Sequence, residues 1–218
     1  MNNLNFKSEF IKKNAQSRIY QMNRPIIAIT GGIASGKSTF CKILKDKYHF
    51  EIVDADQLVK KIYQLQHVKN KIAQLAPSSI KDGEIDFSLL RTLFFNNKQL
   101  QQDIENIIYQ ELPSQFMHAV NNSSQTFVIY DVPLLFEKNL HGKMDLNLLV
   151  YASPLTQKAR IKQRDKSSDE VIEAIIQKQI PIDEKRKMAD LIIENNSSSL
   201  QQLELMAESF YQKYFSLL

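Results

Sequence analysis

The chain has 218 residues, 43% hydrophobic and 24% charged, with one cysteine (Cys41), no tryptophan and a net charge of +4. That length suits one large domain, or one domain carrying a substantial insertion, and is enough to bury a sizeable core. A single cysteine excludes a disulfide framework or multi-thiolate zinc site, and no apolar run approaches the ~18 residues of a membrane span, so a soluble, cytoplasmic protein with no membrane partner is expected.

In chain order, residues 1–21 form an N-terminal extension ahead of Met22. Lys7, Lys12, Lys13, Arg18 and Arg24 fall in the first 24 positions against Glu9 alone, which leaves 23 basic and 23 acidic residues in the remainder. The body is therefore neutral, and no nucleic-acid partner is expected. Three readings of the extension stand: a leader outside a protein that starts at Met22, or disordered; a weak helix through Phe6, Phe10 and Ile11; or a basic targeting peptide.

Residues 26–30 (IIAIT) read as a buried strand ending at Gly31-Gly32, 38–47 as a helix and 50–53 as a second strand, a βαβ unit. Residues of about 57–122 look mostly helical, with a turn at Asp82-Gly83 and no convincing strand. Strands return at 127–130 and 146–151. A basic helix covers 154–165, a second follows an N-cap at Ser167-Ser168-Asp169, and residues 191–193 and 200–215 give a last strand and helix. Strands alternating with helices around one helical block predict an α/β fold with an inserted helical region in a domain of residues 22–218.

Gly31-Gly32-Ile33-Ala34-Ser35-Gly36-Lys37-Ser38 fits G-x-x-x-x-G-K-[ST], with Thr39 next, and uses three of only five glycines. In a shuffled chain this pattern arises on the order of once in a thousand trials. Glycines let successive N–H groups form an anion nest at a helix N-terminus, Lys37 suits β- and γ-phosphates, and the Ser38 hydroxyl suits Mg²⁺. The segment therefore predicts binding of a nucleoside triphosphate through Gly32, Ile33, Ala34, Ser35, Gly36, Lys37, Ser38 and Thr39.

A guanine-reading N-K-x-D segment is missing: Asn70-Lys71-Ile72-Ala73 and Asn97-Lys98-Gln99-Leu100 lack the Asp. That disfavours a GTPase switch and leaves a small-molecule kinase, which needs a base, cations over the transferred phosphoryl group and an acceptor pocket. Asp54 and Asp56, at the carboxyl end of the second strand, are candidates for base and Mg²⁺ positions, with helix capping as the structural alternative. Asp131 has a Walker-B-like place after the third strand, and Pro133 turns the chain across the site. Arg160 and Arg164 share one face of a helix made basic by Lys158, Lys162 and Lys166, which suits a lid over the γ-phosphoryl or a solvated face. Four scattered histidines make no ligand-spaced pair, Cys41 reads as a small core residue, and Tyr63, Tyr109 and Phe87 read as core filling or stacking groups.

These segments together resemble dephospho-coenzyme A kinase: the ITGGIASGKST loop, VDAD ending at Asp56, DVPLLFE from Asp131, the helix with Gln157, Arg160 and Arg164-Asp165, then Gln179, Ala189-Asp190 and Asn195. The resemblance implies a P-loop kinase core with a five-stranded parallel sheet, a helical substrate region at about 57–122 and a helical lid at about 154–188. It implies ATP and Mg²⁺, and phosphorylation of the ribose 3′-hydroxyl of dephospho-CoA by a monomer or weak homo-oligomer; another small-molecule or nucleoside P-loop kinase is the alternative. By position, Asp56 matches the general base, Lys37 and Ser38 the phosphate and Mg²⁺ positions, Arg160 and Arg164 the lid arginines, and Asn195 the adenine-side segment; Asp54 and Asp131 join Ser38 as metal candidates from their strand-end places alone. Asp56, Asp86 and Arg91 are the acceptor candidates. The chain departs from the family pattern at Asp86-Phe87, Tyr109-Gln110 and Asn195-Asn196-Ser197, where Asp-Arg, His-Pro and a glycine-containing end are usual.

Overall fold

A computed structural model describes residues 4–165, 168–197 and 199–217. It divides into one compact unit built from Met1–Val53 with Ser123–Leu218, and a second, Asp54–Asn122. The first unit opens with β1 (Leu4–Phe6), β2 (Ile26–Gly31), α1 (Lys37–Tyr48) and β3 (Ile52–Asp54), whose last residue begins the second unit. The second holds α2 (Ala55–Tyr63), α3 (Gln66–Leu75), the two-residue strands β4 (Ile80–Lys81) and β5 (Glu84–Ile85), α4 (Phe87–Asn96) and α5 (Lys98–Asn121). The chain then returns through β6 (Val128–Asp131), β7 (Leu146–Tyr151), α6 (Pro154–Asp165), α7 (Asp169–Ile176), α8 (Ile182–Met188), β8 (Leu191–Glu194), α9 (Leu200–Tyr214) and β9 (Phe215–Leu217).

The five-stranded sheet runs in the order β3-β6-β2-β7-β8. The β2–β6, β2–β7 and β7–β8 registers are all parallel. β2 and β7 are buried along their whole length, as strands covered on both faces must be. Ile27, Ile29, Leu148 and Val150 meet Phe40 and Leu44 of α1 and Leu203 and Phe210 of α9 in the core. Successive strands lie on opposite sides of β2, so the loop leaving its carboxyl end sits where an open parallel sheet forms its ligand crevice.

Residues 4–22 belong to this unit as an irregular strap, neither an α-helix through Phe10 nor a disordered leader. β1 pairs antiparallel with β9, and the Lys7 ammonium donates to Gln212 O (3.0 Å) and Lys213 O (2.9 Å), satisfying carbonyls at the end of α9. Three short 3-10 turns follow, at Ser8–Phe10, Ala15–Ser17 and Ile19–Gln21. Phe6, Ile19 and Met22 are buried, at a spacing that suits no single helix face. Arg18 reaches Asp145 with Nε 2.7 Å from Oδ2, and the same carboxylate accepts the backbone N–H groups of Lys12, Lys13 and Ile26. Asp145 immediately precedes β7 and Ile26 opens β2, so the strap ties down the amino-terminal ends of the central strands, opposite the glycine loop.

In the second unit the helices enclose Ile62, Val68, Ile72, Leu90, Ile104 and Ile108. Against expectation this block contains strands: β4 and β5 form an antiparallel hairpin. Asp82 and Gly83 between them have φ of 51° and 79°, as a two-residue primed turn requires. At the carboxyl end, Phe215 leaves α9 to begin β9, which shortens the expected final helix by one residue. Ser168 stands at the N-cap position of α7 without a side-chain bond to the helix's backbone N–H groups; Ser167 and Lys166 lie outside the described residues.

Candidate active site

The glycine loop runs from the end of β2 into the first residue of α1, Lys37. Its glycines serve two different needs. Gly36 has φ of 93°, and a Cβ there would lie 2.1 Å from Asn195 Nδ2; a Cβ on Gly32 would meet Gln157 Nε2 at 2.3 Å. Gly36 thus needs a left-handed conformation and space, Gly32 space alone. Ala34 also takes a positive φ, 56°, without being glycine, which places a strained residue in the centre of the loop.

The outer side of the loop is held by its carbonyls. Arg160 Nη1 donates to Ala34 O (3.2 Å) and Ser35 O (3.3 Å), and its Nη2 to Ser197 O (2.8 Å). Asn195 Nδ2 donates to Ser35 O at 2.8 Å, and Gln179 Oε1 accepts the Ile33 N–H at 3.2 Å. Because a trans peptide points its C=O and N–H in opposite directions, anchoring Ser35 O outward turns the Gly36 N–H toward the inside. α6, the turn before α8 and the residues after β8 therefore shape the nest from behind.

On the strand side, Lys37 Nζ is ion-paired with Asp131 Oδ1, both largely buried. Cys41 Sγ lies 3.7 Å from Asp131 Oδ2, and burial, reinforced by the Asp131 charge, pushes its thiol far up, so Cys41 is an inert core thiol. The Thr30 hydroxyl donates to Pro133 O at 3.2 Å, and Val132 N–H to Ile29 O, so the segment after β6 does cross the end of β2. Ser38 and Thr39 are exposed at the start of α1 and open into a cleft of about 710 Å³ lined also by Lys42, Ile43, Asp46, Lys47, Leu200 and Glu204.

The remaining candidates have local partners of their own. Asp54 and Asp56 are not both extended: α2 begins at Ala55, Asp54 Oδ1 caps it by accepting the Gln57 N–H at 3.0 Å, and Asp56 is exposed in its first turn. Arg164 pairs side-on with its neighbour Asp165, Nε to Oδ1 at 2.6 Å and Nη2 to Oδ2 at 2.7 Å, rather than with the loop. Asp86 caps α4 through the N–H groups of Ser88 and Leu89, and Arg91 is exposed on that helix. Phe87 packs edge-on against Tyr63 at 5.1 Å. The contacts of Gln179 and Ser197 with the loop and Arg160 carry no spacing signal, since each arises from a segment more than 140 residues away or from a backbone carbonyl.

Among the described residues no three His, Cys, Asp or Glu side chains gather into a metal cluster. The donors beside the loop nevertheless fit Mg²⁺, which takes few protein oxygens and completes its shell with phosphates and water: an exposed Ser38 hydroxyl and the Asp131 carboxylate. Among the same residues no helix is long and apolar enough to cross a membrane.

Residues 25–201 match the family model described as dephospho-CoA kinase. A Fusobacterium nucleatum protein named dephospho-CoA kinase is 37% identical over 191 residues, covering 87% of this chain and 98% of that relative. A Bacillus cereus protein of the same name is 31% identical over 195 residues, 85% of this chain and 96% of its own. Among solved structures, a Thermus thermophilus protein superposes with a TM-score of 0.77 at 29% identity, over 87% of this chain and 97% of its own. A dephospho-CoA kinase from Campylobacter jejuni superposes with a TM-score of 0.64 at 26% identity, over 86% and 96%. With its glycine loop, its sheet order and this likeness along nearly the whole length of the relatives, the chain belongs to the dephospho-CoA kinase family.

Proposed function

We propose that this protein transfers the γ-phosphoryl group of ATP to the ribose 3′-hydroxyl of dephospho-CoA, giving CoA and ADP. The observation that carries it is the glycine loop with its Lys37–Asp131 pair, in a chain 37% identical to a dephospho-CoA kinase over 98% of that relative. The loop N–H groups and Lys37 bind the triphosphate, with Asn195 on the adenine side. Asp56 takes the proton of the attacking hydroxyl as that oxygen bonds to the γ-phosphorus and the bond to the β-phosphate oxygen breaks. Lys37, Arg160 and Arg164 stabilise the charge that develops on the transferring group. Ser38, Asp54 and Asp131 would hold Mg²⁺, which neutralises phosphate charge when bound.

Residues of about 57–122 form the acceptor region in this reading, with Asp86 and Arg91 as contacts. Residues of about 154–188 form a lid whose closure excludes water and so protects ATP from hydrolysis. A cytoplasmic enzyme, monomeric or weakly self-associating, completes the proposal. It is tested by ADP release from ATP and Mg²⁺ with dephospho-CoA, beside nucleosides and nucleoside monophosphates as alternative acceptors. Stimulation by dephospho-CoA alone, with stoichiometric CoA, is the expected result. Turnover only with another acceptor would overturn it and mean that the Asp86-Phe87 and Tyr109-Gln110 departures redirect a shared phosphoryl-transfer core.

A further inference from the structure

Glu137 ends the segment that crosses β2, and Lys185 lies on α8. The Lys185 side chain is wholly buried, that of Glu137 is 14% exposed, and Nζ stands 2.7 Å from Oε1. The same Oε1 accepts the Ile180 N–H at 3.1 Å. One carboxylate oxygen therefore holds both α8 and the turn that leads into it. An ammonium this deeply buried is tolerated only with its counter-charge in place.

That turn and helix carry two contacts to the glycine loop. Gln179, next to Ile180, accepts the Ile33 N–H. Ile182, at the start of α8, stands so close to Gly32 that a Cβ there would come within 3.1 Å of its Cδ1. With its N–H bonded to Gln179, Ile33 is withheld from the donors the loop can offer a phosphate, so the turn bears on how the loop presents its amides.

We propose that Glu137 is a positioning residue for the phosphate loop: through Lys185 and Ile180 it fixes the turn that presents Gln179 to Ile33 and Ile182 to Gly32. This rests on the loop binding ATP and is independent of which acceptor is phosphorylated.

The test is equilibrium binding of ATP with Mg²⁺, without acceptor, together with steady-state kinetics and thermal unfolding. Glu137→Gln alone strands the Lys185 charge, so it is combined with Lys185→Met, which removes both charges and keeps an oxygen for Ile180. The doubly substituted protein is expected to bind ATP about tenfold more weakly, a coupling typical of contiguous groups, with kcat at saturating ATP within about twofold of the parent. Gln179→Ala, which leaves the ion pair intact, should weaken ATP by a similar factor with no change in Tm. Combining all three changes should add little to the larger single effect. Unchanged ATP affinity in a folded Glu137→Gln/Lys185→Met protein, or strictly multiplicative losses, overturns the proposal. Should that protein fail to fold, Gln179→Ala decides alone: unaltered ATP affinity overturns it and a tenfold loss upholds it. Dephospho-CoA turnover by the parent protein is a separate readout, so failure of the acceptor assignment would not be mistaken for failure here.

Discussion

Arg18 and Asp145, 127 positions apart, form an ion pair that is almost completely out of solvent, with 4% and 0% of their side chains exposed. Removing one partner of such a pair leaves an uncompensated buried charge. Arg18→Met is therefore expected to cost about 3 kcal/mol. In a protein of this size that lowers Tm by roughly 6–12 °C. Calorimetry on Arg18→Met, Asp145→Asn and the combined variant checks it, with the combination recovering much of the loss. A Tm within about 1 °C of the parent for Arg18→Met would mean that the strap adds nothing to the stability of the first unit.

A second contact of the strap gives a pH signature. Lys12 Nζ lies 2.7 Å from Asp190 Oδ1, while Asn147 N–H and Nδ2 donate to Oδ2 at 2.8 and 2.9 Å. Burial pushes the Asp190 carboxyl up, but the bonds from Lys12 and Asn147 outweigh it and hold the group below its ordinary value of 3.8. A depressed folded pKa means stabilisation that is present in full above the unfolded value and is lost as pH falls through the folded one. Asp190→Asn should therefore lower Tm at pH 7, with a difference that shrinks on acidification below about pH 4. A difference that does not vary with pH would remove the charge from this account.

Legibility followed the length and regularity of each element. The strand at 146–151 and the helix at 154–165 lie where their apolar run and periodicity put them. The phosphate loop was readable because its chemistry demands a contiguous residue order. The strap was not, because its cohesion comes from long-range ion pairs, backbone caps and aromatic contacts with the far end of the chain, none of which leaves a local period. Two-residue strands such as β4 carry too few positions to alternate, so only their turn, Asp82-Gly83, was visible. For the site, sequence located Arg160 and Asn195 but not the carbonyls they grip, and it left Asp54 and Asp56 between site and helix-cap roles, where the chain has already turned into α2 and Asp54 caps it.

Lys37 is paired with Asp131, and in the proposed mechanism it exchanges this partner for the phosphates. Lys37→Ala removes a cation aimed at the developing charge and should reduce kcat by two or more orders of magnitude. Single-turnover rates at saturating ATP measure this directly. A loss confined to the KM for ATP would show instead that Lys37 contributes only ground-state binding.

Asp54 and Asp56 separate by role. The Asp54 carboxylate caps α2, so Asp54→Ala is expected to cost about 1 kcal/mol of stability through the lost N-cap. Asp56, exposed one residue into that helix, is free of this duty. Asp56→Asn should lower kcat by roughly 10² to 10⁴ while ATP affinity and Tm stay near the parent's. Parent-like turnover would remove Asp56 from the role of base.

The two arginines of α6 give the sharpest contrast. Arg160 supports the loop through Ala34 O and Ser35 O and reaches Ser197 O, whereas the exposed Arg164 is bonded to Asp165. Arg160→Ala should therefore raise the KM for ATP and lower kcat together, since it holds the loop carbonyls and, in the proposed mechanism, supplies charge. Arg164→Ala should leave Tm unchanged, because an exposed pair with a sequence neighbour contributes little to stability. It should lower kcat only, because in the proposed mechanism Arg164 acts on the transferring group after leaving Asp165 as the proposed lid closes. Asp165→Asn discriminates further: releasing Arg164 should leave kcat at or above the parent value, and a fall comparable to that of Arg164→Ala would mean that the pair itself, rather than the freed guanidinium, is what the reaction requires.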